Sequence, residues 1–359
     1  MLRIEEPFHG AVLNHRYGVQ TDEGLTITVT GQAPPYGTVT INDVPATIKS
    51  GRLHCEVTVT QPEQDITASY RGSYGHQQHT VRVVWDRYSQ PRYRFAIDDN
   101  IYWLRDVVCK GYQSLFDCPY FAMLRKLHKE YGTKFVLNIY YECEDGFQIT
   151  EFPDRYRGEF EDNADWLVLS FHAYANMPNR PYQYASAEKL ISDMNMVEEQ
   201  IVRFAGERTL APPAQIHWAM VLPEAIPALF DKGVRVLSGF FSPYPQGYDI
   251  NYWLDPVRSE YLWNHEALKD FDTGIVFSRM DIVCNTTPVE QVVPTLEPLY
   301  DNPEQAEIMD MITHEQLFWP FHPANLPDHW ERCETAIRWV SERGYEPAFL
   351  HEGLLGSPQ

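Results

Sequence analysis

The run Tyr93-Arg94-Phe95-Ala96-Ile97-Asp98-Asp99-Asn100 ends an apolar, strand-like stretch in two adjacent carboxylates. Neighbouring anions in a partly buried setting repel, and a metal ion, an arginine or a shared proton must offset that repulsion. The run reads as a site ahead of the plainer alternative, in which Asp98 and Asp99 cap the helix that follows. Groups of similar chemistry close the later apolar runs: Tyr141 and Glu142, His172 and Asn176, His217 and Trp218, Asp281, His314 and Glu315, His351 and Glu352.

Such a series needs a scaffold that brings strand ends together. From Arg94 onward the sequence predicts strands at Arg94 to Ile97, 135–140, 166–171, 215–217, 234–237, 274–277, 311–313 and 348–350. Helical patterns at 119–131, 186–205, 222–232 and 327–343 lie between several of them. Strand, crossover helix and next strand, repeated, predict a (β/α) barrel, seven-stranded and distorted, with its active site at the C-terminal strand ends.

Before that, from Gly24 to about Val84, apolar and polar residues alternate in short bursts such as Leu25-Thr26-Ile27-Thr28-Val29, separated by turn signals such as Lys49-Ser50-Gly51. This period of two predicts an immunoglobulin-like β-sandwich. The fold class expected is therefore multi-domain α/β, with residues 1–90 as the sandwich and 91–359 as the barrel.

With 29 Lys+Arg against 50 Asp+Glu, a formal charge of −21, the chain has no basic footprint for nucleic acid and is repelled by anionic membranes. No apolar run is long enough to span a bilayer, and the N-terminal residues lack a secretory pattern, so a cytoplasmic location is expected. The six cysteines show no C-x-x-C pair, which suits free thiols better than a disulfide framework. Phosphate loops, serine nucleophile elbows and dinucleotide fingerprints are absent. A homo-oligomer is possible from edge strands of the sandwich.

Phe95-Ala96-Ile97-Asp98-Asp99-Asn100 resembles the opening Asp-Asp motif of the polysaccharide deacetylases of the NodB-homology type (carbohydrate esterase family 4), within the wider glycoside hydrolase/deacetylase barrel superfamily. Leu169-Ser170-Phe171-His172-Ala173-Tyr174-Ala175-Asn176 resembles that family's His-x-x-x-His motif, with Asn176 where the second histidine belongs. Ala211-Pro212-Pro213 falls where the family carries an Arg-Pro-Pro-type motif, and Ile312-Thr313-His314-Glu315 resembles its late Leu-His motif. The resemblance covers roughly residues 94–353. It implies Asp98 as general base and His314 as general acid; from their position beside or near that strand end, Glu315 or Glu352 is the expected group to orient the acid. It also implies a divalent metal, zinc on availability, on Asp99 and His172 together with Asn176 or His217.

Aromatic residues make up 14% of the chain, and many fall in loops expected at the barrel mouth. Trp103, Tyr141, Trp218 and Trp319, with Glu142, His351 and Glu352, are the expected contacts to a carbohydrate substrate, flat rings suiting the apolar faces of sugars. The leading expectation is a metal-dependent deacetylase acting on a sugar or oligosaccharide. The alternatives are a glycoside hydrolase using a carboxylate pair among Asp98, Glu142, Glu315 and Glu352, and a carbohydrate-binding protein whose catalytic machinery has decayed.

Overall fold

Alternation governs the N-terminal part of the computed structural model, which describes residues 1–353. Along Arg52–Val59 every second residue is buried, and Leu25–Gln32 repeats the pattern, so each strand offers one apolar face. Nine strands pair in the order Arg3–Glu6, Leu25–Gln32, Arg52–Val59, Val44–Lys49, Gly37–Ile41, Glu63–Gly72, Gly75–Trp85 and Val12–Leu13, with Gly18–Gln20 on Leu25–Gln32. The strand Val44–Lys49 changes partners along its length: Val44 to Ala46 pair with Gly37–Ile41, Thr47 to Lys49 with Arg52–Val59. The pairs are antiparallel except that of Val12–Leu13 with Gly75–Trp85. By contact density Met1–Ser89 form one compact unit, to which Ala267–Val276 also belong.

The second unit, Gln90–Glu266 with the chain from Phe277 onward, alternates strands and helices. Its main sheet is parallel and contains β1 (Arg92–Asn100), β2 (Phe135–Tyr140), β3 (Leu167–Ala173), β6 (Ile282–Val283) and β7 (Ile308–His314), in the order β3-β2-β1-β7-β6. Every residue of β1, β2 and β3 is buried, as parallel strands covered on both faces require. A separate small sheet pairs β4 (Val236–Gly239) with β5 (Val276–Arg279).

The expected seven-stranded barrel is thus not one continuous ladder. Between β3 and β4, where a strand over Gln215 to His217 was predicted, the described residues make no continuous ladder: Leu210 forms an isolated parallel bridge to Leu169, with Ala211 N donating to Leu169 O at 2.9 Å, and Ser238 N donates to Ala214 O at 2.6 Å. Residues 217–219 instead form a 3-10 turn with Trp218 in the left-handed region, φ 64°. The predicted strand over 348–350 falls two residues early, as the short strand Glu346–Pro347, which pairs in parallel with Arg92 and Tyr93 of β1 and adds a sixth strand to the main sheet; Leu350–Gly353 is a helical turn. Two of the expected helical stretches, 119–131 and 186–205, answer the sequence closely, and a helix at 102–110 is added to the expected set. Helix α1 (Tyr102–Lys110) follows β1, α2 (Pro119–Tyr131) has proline in its first turn and ends at left-handed Gly132, and α3 (Ala187–Ala205) is capped by the Ser186 hydroxyl.

Strand parity divides the second unit. Phe95, Phe135, Leu137 and Leu167 share one face, where Phe95 stacks edge-on against Phe135 and Phe135 against Trp166. Arg94, Ala96 and Asp98 share the other with Val136, Asn138, Val168, Ser170, Asp310, Ile312 and His314. Polar groups therefore sit above and below an apolar layer of Ala96, Val136, Val168 and Ile312. Among the described residues no helix is long and apolar enough to cross a membrane, and the six cysteines are free.

Candidate metal centre and active site

Two bulges at neighbouring strand ends make the site. Ile97 pairs with Leu137 but Asn100 with Ile139, so β1 carries one residue more than β2 over this interval. A regular strand would aim Asp98 and Asp99 to opposite faces. With Asp99 in the left-handed region, φ 61°, both carboxylates instead line one pocket. Asn100 holds the distortion: its amide donates to Ile97 O at 2.5 Å and Asn138 O at 3.2 Å, and its oxygen accepts from the Tyr120 hydroxyl at 2.8 Å. One strand over, Ile139 pairs with Phe171 and Tyr140 with Ala173, which leaves His172 as the extra residue of a second bulge.

Asp99, His172 and His217 converge, all three buried, with ligand-capable atoms within 4.8 Å of one another. His172 Nε2 lies 3.2 Å from Asp99 Oδ1 and 3.0 Å from His217 Nδ1, and His217 Nδ1 lies 3.5 Å from Asp99 Oδ1. His172 Nδ1 faces the Gln215 carbonyl at 3.3 Å, where a protonated nitrogen is required, so Nε2 is the atom turned to the cluster. That backbone anchor on the far nitrogen is the usual support of a metal-ligating imidazole. Three acceptor-capable atoms meeting in one place need a shared proton or a cation, and the two-nitrogen, one-oxygen set fits a divalent ion of the zinc type.

The electrostatics follow from the convergence. Burial disfavours the Asp99 carboxylate, but the His172 hydrogen bond and the charges of His314, His172 and His217 hold its pKa well below the usual range. Burial also works against a charged His172, yet Asp98 and Asp99 draw a proton onto it and raise its pKa. Burial and the neighbouring His172 push His217 down to about 3. The Tyr140 hydroxyl donates to Asp99 Oδ1 and lies 3.1 Å from His217 Nδ1. Burial and the Asp99 charge keep that hydroxyl protonated. Asn176 enters the cluster only at its edge, its oxygen 3.5 Å from the Tyr140 hydroxyl while its amide donates to Glu144 at 3.1 Å.

Asp98 stands beside this set without joining it. Its oxygens accept from Asn138 Nδ2 and Gln215 Nε2, each at 2.6 Å, and His172 Nε2 is 3.9 Å away. His314, the register partner of Asp98 on β7, also lines the pocket, with Nδ1 2.8 Å from Asn285 Oδ1. Asn285 and Gln316, whose amide donates to Asp99 Oδ2 at 2.9 Å, were not singled out in the sequence, nor were Asn138 and Gln215. Neutral amides carry no motif, and only the strand parity of Asn138 with Asp98 gave a signal.

Several expected site residues lie elsewhere. Glu315 turns away from the pocket to the N-terminus of α1, where its carboxylate accepts from the amides of Ile101, Tyr102 and Trp103 at 2.7, 2.8 and 2.6 Å and from Trp319 Nε1 at 2.7 Å. The carboxyl is committed to a helix cap, and neither catalysis nor orientation of His314 is open to it. Trp103 is fully buried against Phe121, Phe152 and Phe160, and Trp319 stacks on Tyr120 and Phe321. Tyr141 stacks on Tyr174, and Glu142 accepts from Gln148 at 2.7 Å and from Tyr174 at 3.3 Å. His351 stacks on Phe349, and Glu352 pairs with Lys134 at 2.8 Å. Of the seven residues expected at substrate, Trp218 alone lines the pocket.

The pocket itself has a volume of about 600 Å³. Besides the charged cluster it is lined by Asn176, Asn179, Asn285, Thr286 and Gln316, and by Trp218, which is 37% exposed. No family model matches the chain, and no curated protein sequence matches it. Among solved structures, a 4-alpha-glucanotransferase from Thermococcus litoralis superimposes with a TM-score of 0.47 at 12% identity over 72% of this chain, which spans 39% of that protein. Fibronectin(III)-like modules of Clostridium thermocellum CbhA give a TM-score of 0.19 at 12% identity, over 28% of this chain and 57% of theirs. A carbohydrate acetylesterase from Xanthomonas citri gives 0.19 at 10% identity, over 94% of this chain and 74% of its own. Superpositions this loose carry no argument about activity, and the geometry has to supply it.

Proposed function

We propose that the protein is a metal-dependent hydrolase that removes an acyl group, acetyl in the simplest case, from a carbohydrate. The observation that carries this reading is the convergence of Asp99, His172 and His217 beside a separate carboxylate, Asp98, with His314 lining the same pocket. Asp99 Oδ1, His172 Nε2 and His217 Nδ1 would hold the ion, zinc by donor type. Bound there, a divalent ion supplies Lewis-acid polarisation of the acyl carbonyl and of a water molecule.

The chain's own groups account for the proton movements. Asp98, kept in place by Asn138 and Gln215, takes a proton from the attacking water. The water oxygen bonds to the acyl carbon, and the bond from that carbon to the sugar oxygen or nitrogen breaks. His314, with Nδ1 held by Asn285, gives its Nε2 proton to the leaving atom. Amide and hydroxyl side chains around the mouth, with the half-exposed Trp218, match the hydroxyls and apolar faces of a sugar. Of the carboxylates considered for a glycosidase pair, Asp98 alone lines the pocket.

The experiment is release of the free acid from acylated amino sugars and acylated oligosaccharides by zinc-loaded protein, with and without a chelator. Turnover that stops with chelator, returns with zinc and is lost in Asp98→Asn supports the reading. Cleavage of glycosidic bonds that survives the chelator contradicts it.

A further inference from the structure

Hydrolysis uses only part of the pocket. Phe240, Ile250, Met280, Val283 and Ile312 also line it, and none of the five has a hydrogen-bonding side chain. Phe240, Ile250 and Val283 are partly exposed and pack against the buried core cluster that contains Met280 and Ile312, and Val283 is the register partner of Ile312, so the five form one apolar wall of the pocket. Ile312 lies two residues before His314 on β7 and therefore on the same face, one pleat deeper, which places that residue of the wall below the proposed acid.

The backbone supports this wall under strain. Phe240 N and Phe241 N both donate to Ile250 O, at 2.9 and 3.3 Å, pinning the two segments together. Phe241 and Ile250 sit in the left-handed region, at φ 52° and 53°. A β-branched residue avoids that conformation, and such strain persists where the surroundings hold a side chain to a task. Partly exposed apolar surface inside a pocket beside two carboxylates also keeps its hydration cost unless a ligand covers it. An acetyl methyl is too small to cover five side chains.

Resting on the hydrolase reading above, we propose that the acyl group removed is longer than acetyl, a hydrocarbon chain of about four to eight carbons seated on the Phe240–Ile250–Val283 wall. Water adds its oxygen to the acyl carbon, the bond to the sugar oxygen or nitrogen breaks, and the medium-chain carboxylate and the protonated sugar group leave.

Two measurements test it. Zinc-loaded protein is given p-nitrophenyl acetate, butanoate, hexanoate and octanoate, and kcat/KM is expected to rise about fourfold per methylene until the wall is covered. Val283→Phe should move the optimum to shorter chains. Independently of the metal and of turnover, calorimetry on chelator-treated protein should show hexanamide binding at least tenfold more tightly than acetamide, with that preference reduced in Val283→Phe. Acetate as the fastest ester, or hexanamide and acetamide binding within twofold of each other, overturns the proposal and leaves the hydrolase reading standing. Hydrolysis of no ester and of no acylated sugar takes down the hydrolase reading, and this proposal with it.

Discussion

Strand β1 carries two buried charged layers four residues apart on one face, and they behave oppositely. In the lower, Arg94 Nη1 lies 2.9 Å from both oxygens of Asp310, Ser238 donates to the same carboxylate, and Arg94 Nη2 donates to Gln215 at 3.1 Å. Both charges are 1% exposed or less and are answered by groups fixed to the chain. In the upper, the ligand-capable atoms of Asp99, His172 and His217 converge beside Asp98, and the layer opens to a pocket. A buried charge closed by its own partners is architecture, whereas an excess of acceptors at an open face is a place for a ligand. Gln215 joins the two layers, accepting from Arg94 and donating to Asp98, so the closed layer orients the open one.

Substitutions should separate the layers. The largest effect is expected in the upper one: Asp99→Ala or His172→Ala should lower zinc affinity by at least about 100-fold, read by competition with a chromogenic chelator, while melting of the metal-free protein changes little. Next, Arg94→Met leaves Asp310 buried without its partner and should cost about 3–5 kcal/mol in urea unfolding. Glu315→Ala frees three amides at the start of α1 and should cost about 2 kcal/mol with metal content unchanged. Equal loss of metal in Glu315→Ala and Asp99→Ala would erase the distinction between them. Asn176→His should tighten zinc about tenfold, since imidazole is the better donor, measured by the same competition.

The smallest effect concerns carboxyls buried away from the pocket. Burial raises Glu266 to about 8, against amide hydrogen bonds from Ile308 and Glu307, and raises Asp281 to about 7 despite Arg279. For an acid whose folded pKa is raised, the neutral form is favoured in the fold. The stability it contributes is complete below the unfolded pKa near 4 and is lost as pH rises through 7 to 8. Melting temperature should therefore fall from about pH 5 to about pH 8 and level off above that, and Glu266→Gln should flatten that slope.

Alternation made the strands legible: the eightfold alternation of Arg52–Val59 and the apolar run of Phe135–Tyr140 both lie where their sequences place them. Asp98, Asp99, His172, His217 and His314 were legible as candidates because acids and imidazoles close apolar runs, but Glu142, Glu315, His351 and Glu352 carry the same signal and do not line the pocket. The bulges were not. A period of two sends Asp98 and Asp99 to opposite faces, and only the left-handed turn at Asp99, tied down by Asn100, brings them together. Glu315 was misread for the same kind of reason: adjacency to His314 suggested the pocket, but the 3-10 turn beginning at Glu315 carries its carboxylate to a helix terminus. Trp103 and Trp319 show that ring content does not distinguish a sugar platform from a core until burial is known.

The most direct test lies between two neighbouring residues of one bulge. Bound zinc per chain should be measured by elemental mass spectrometry for wild type, Asp98→Asn and Asp99→Asn after identical reconstitution. Asp99 as ligand and Asp98 as base predict near-stoichiometric zinc in wild type and Asp98→Asn, with little in Asp99→Asn. A wild-type protein that takes up no zinc, or two variants that lose it equally, would contradict the assignment.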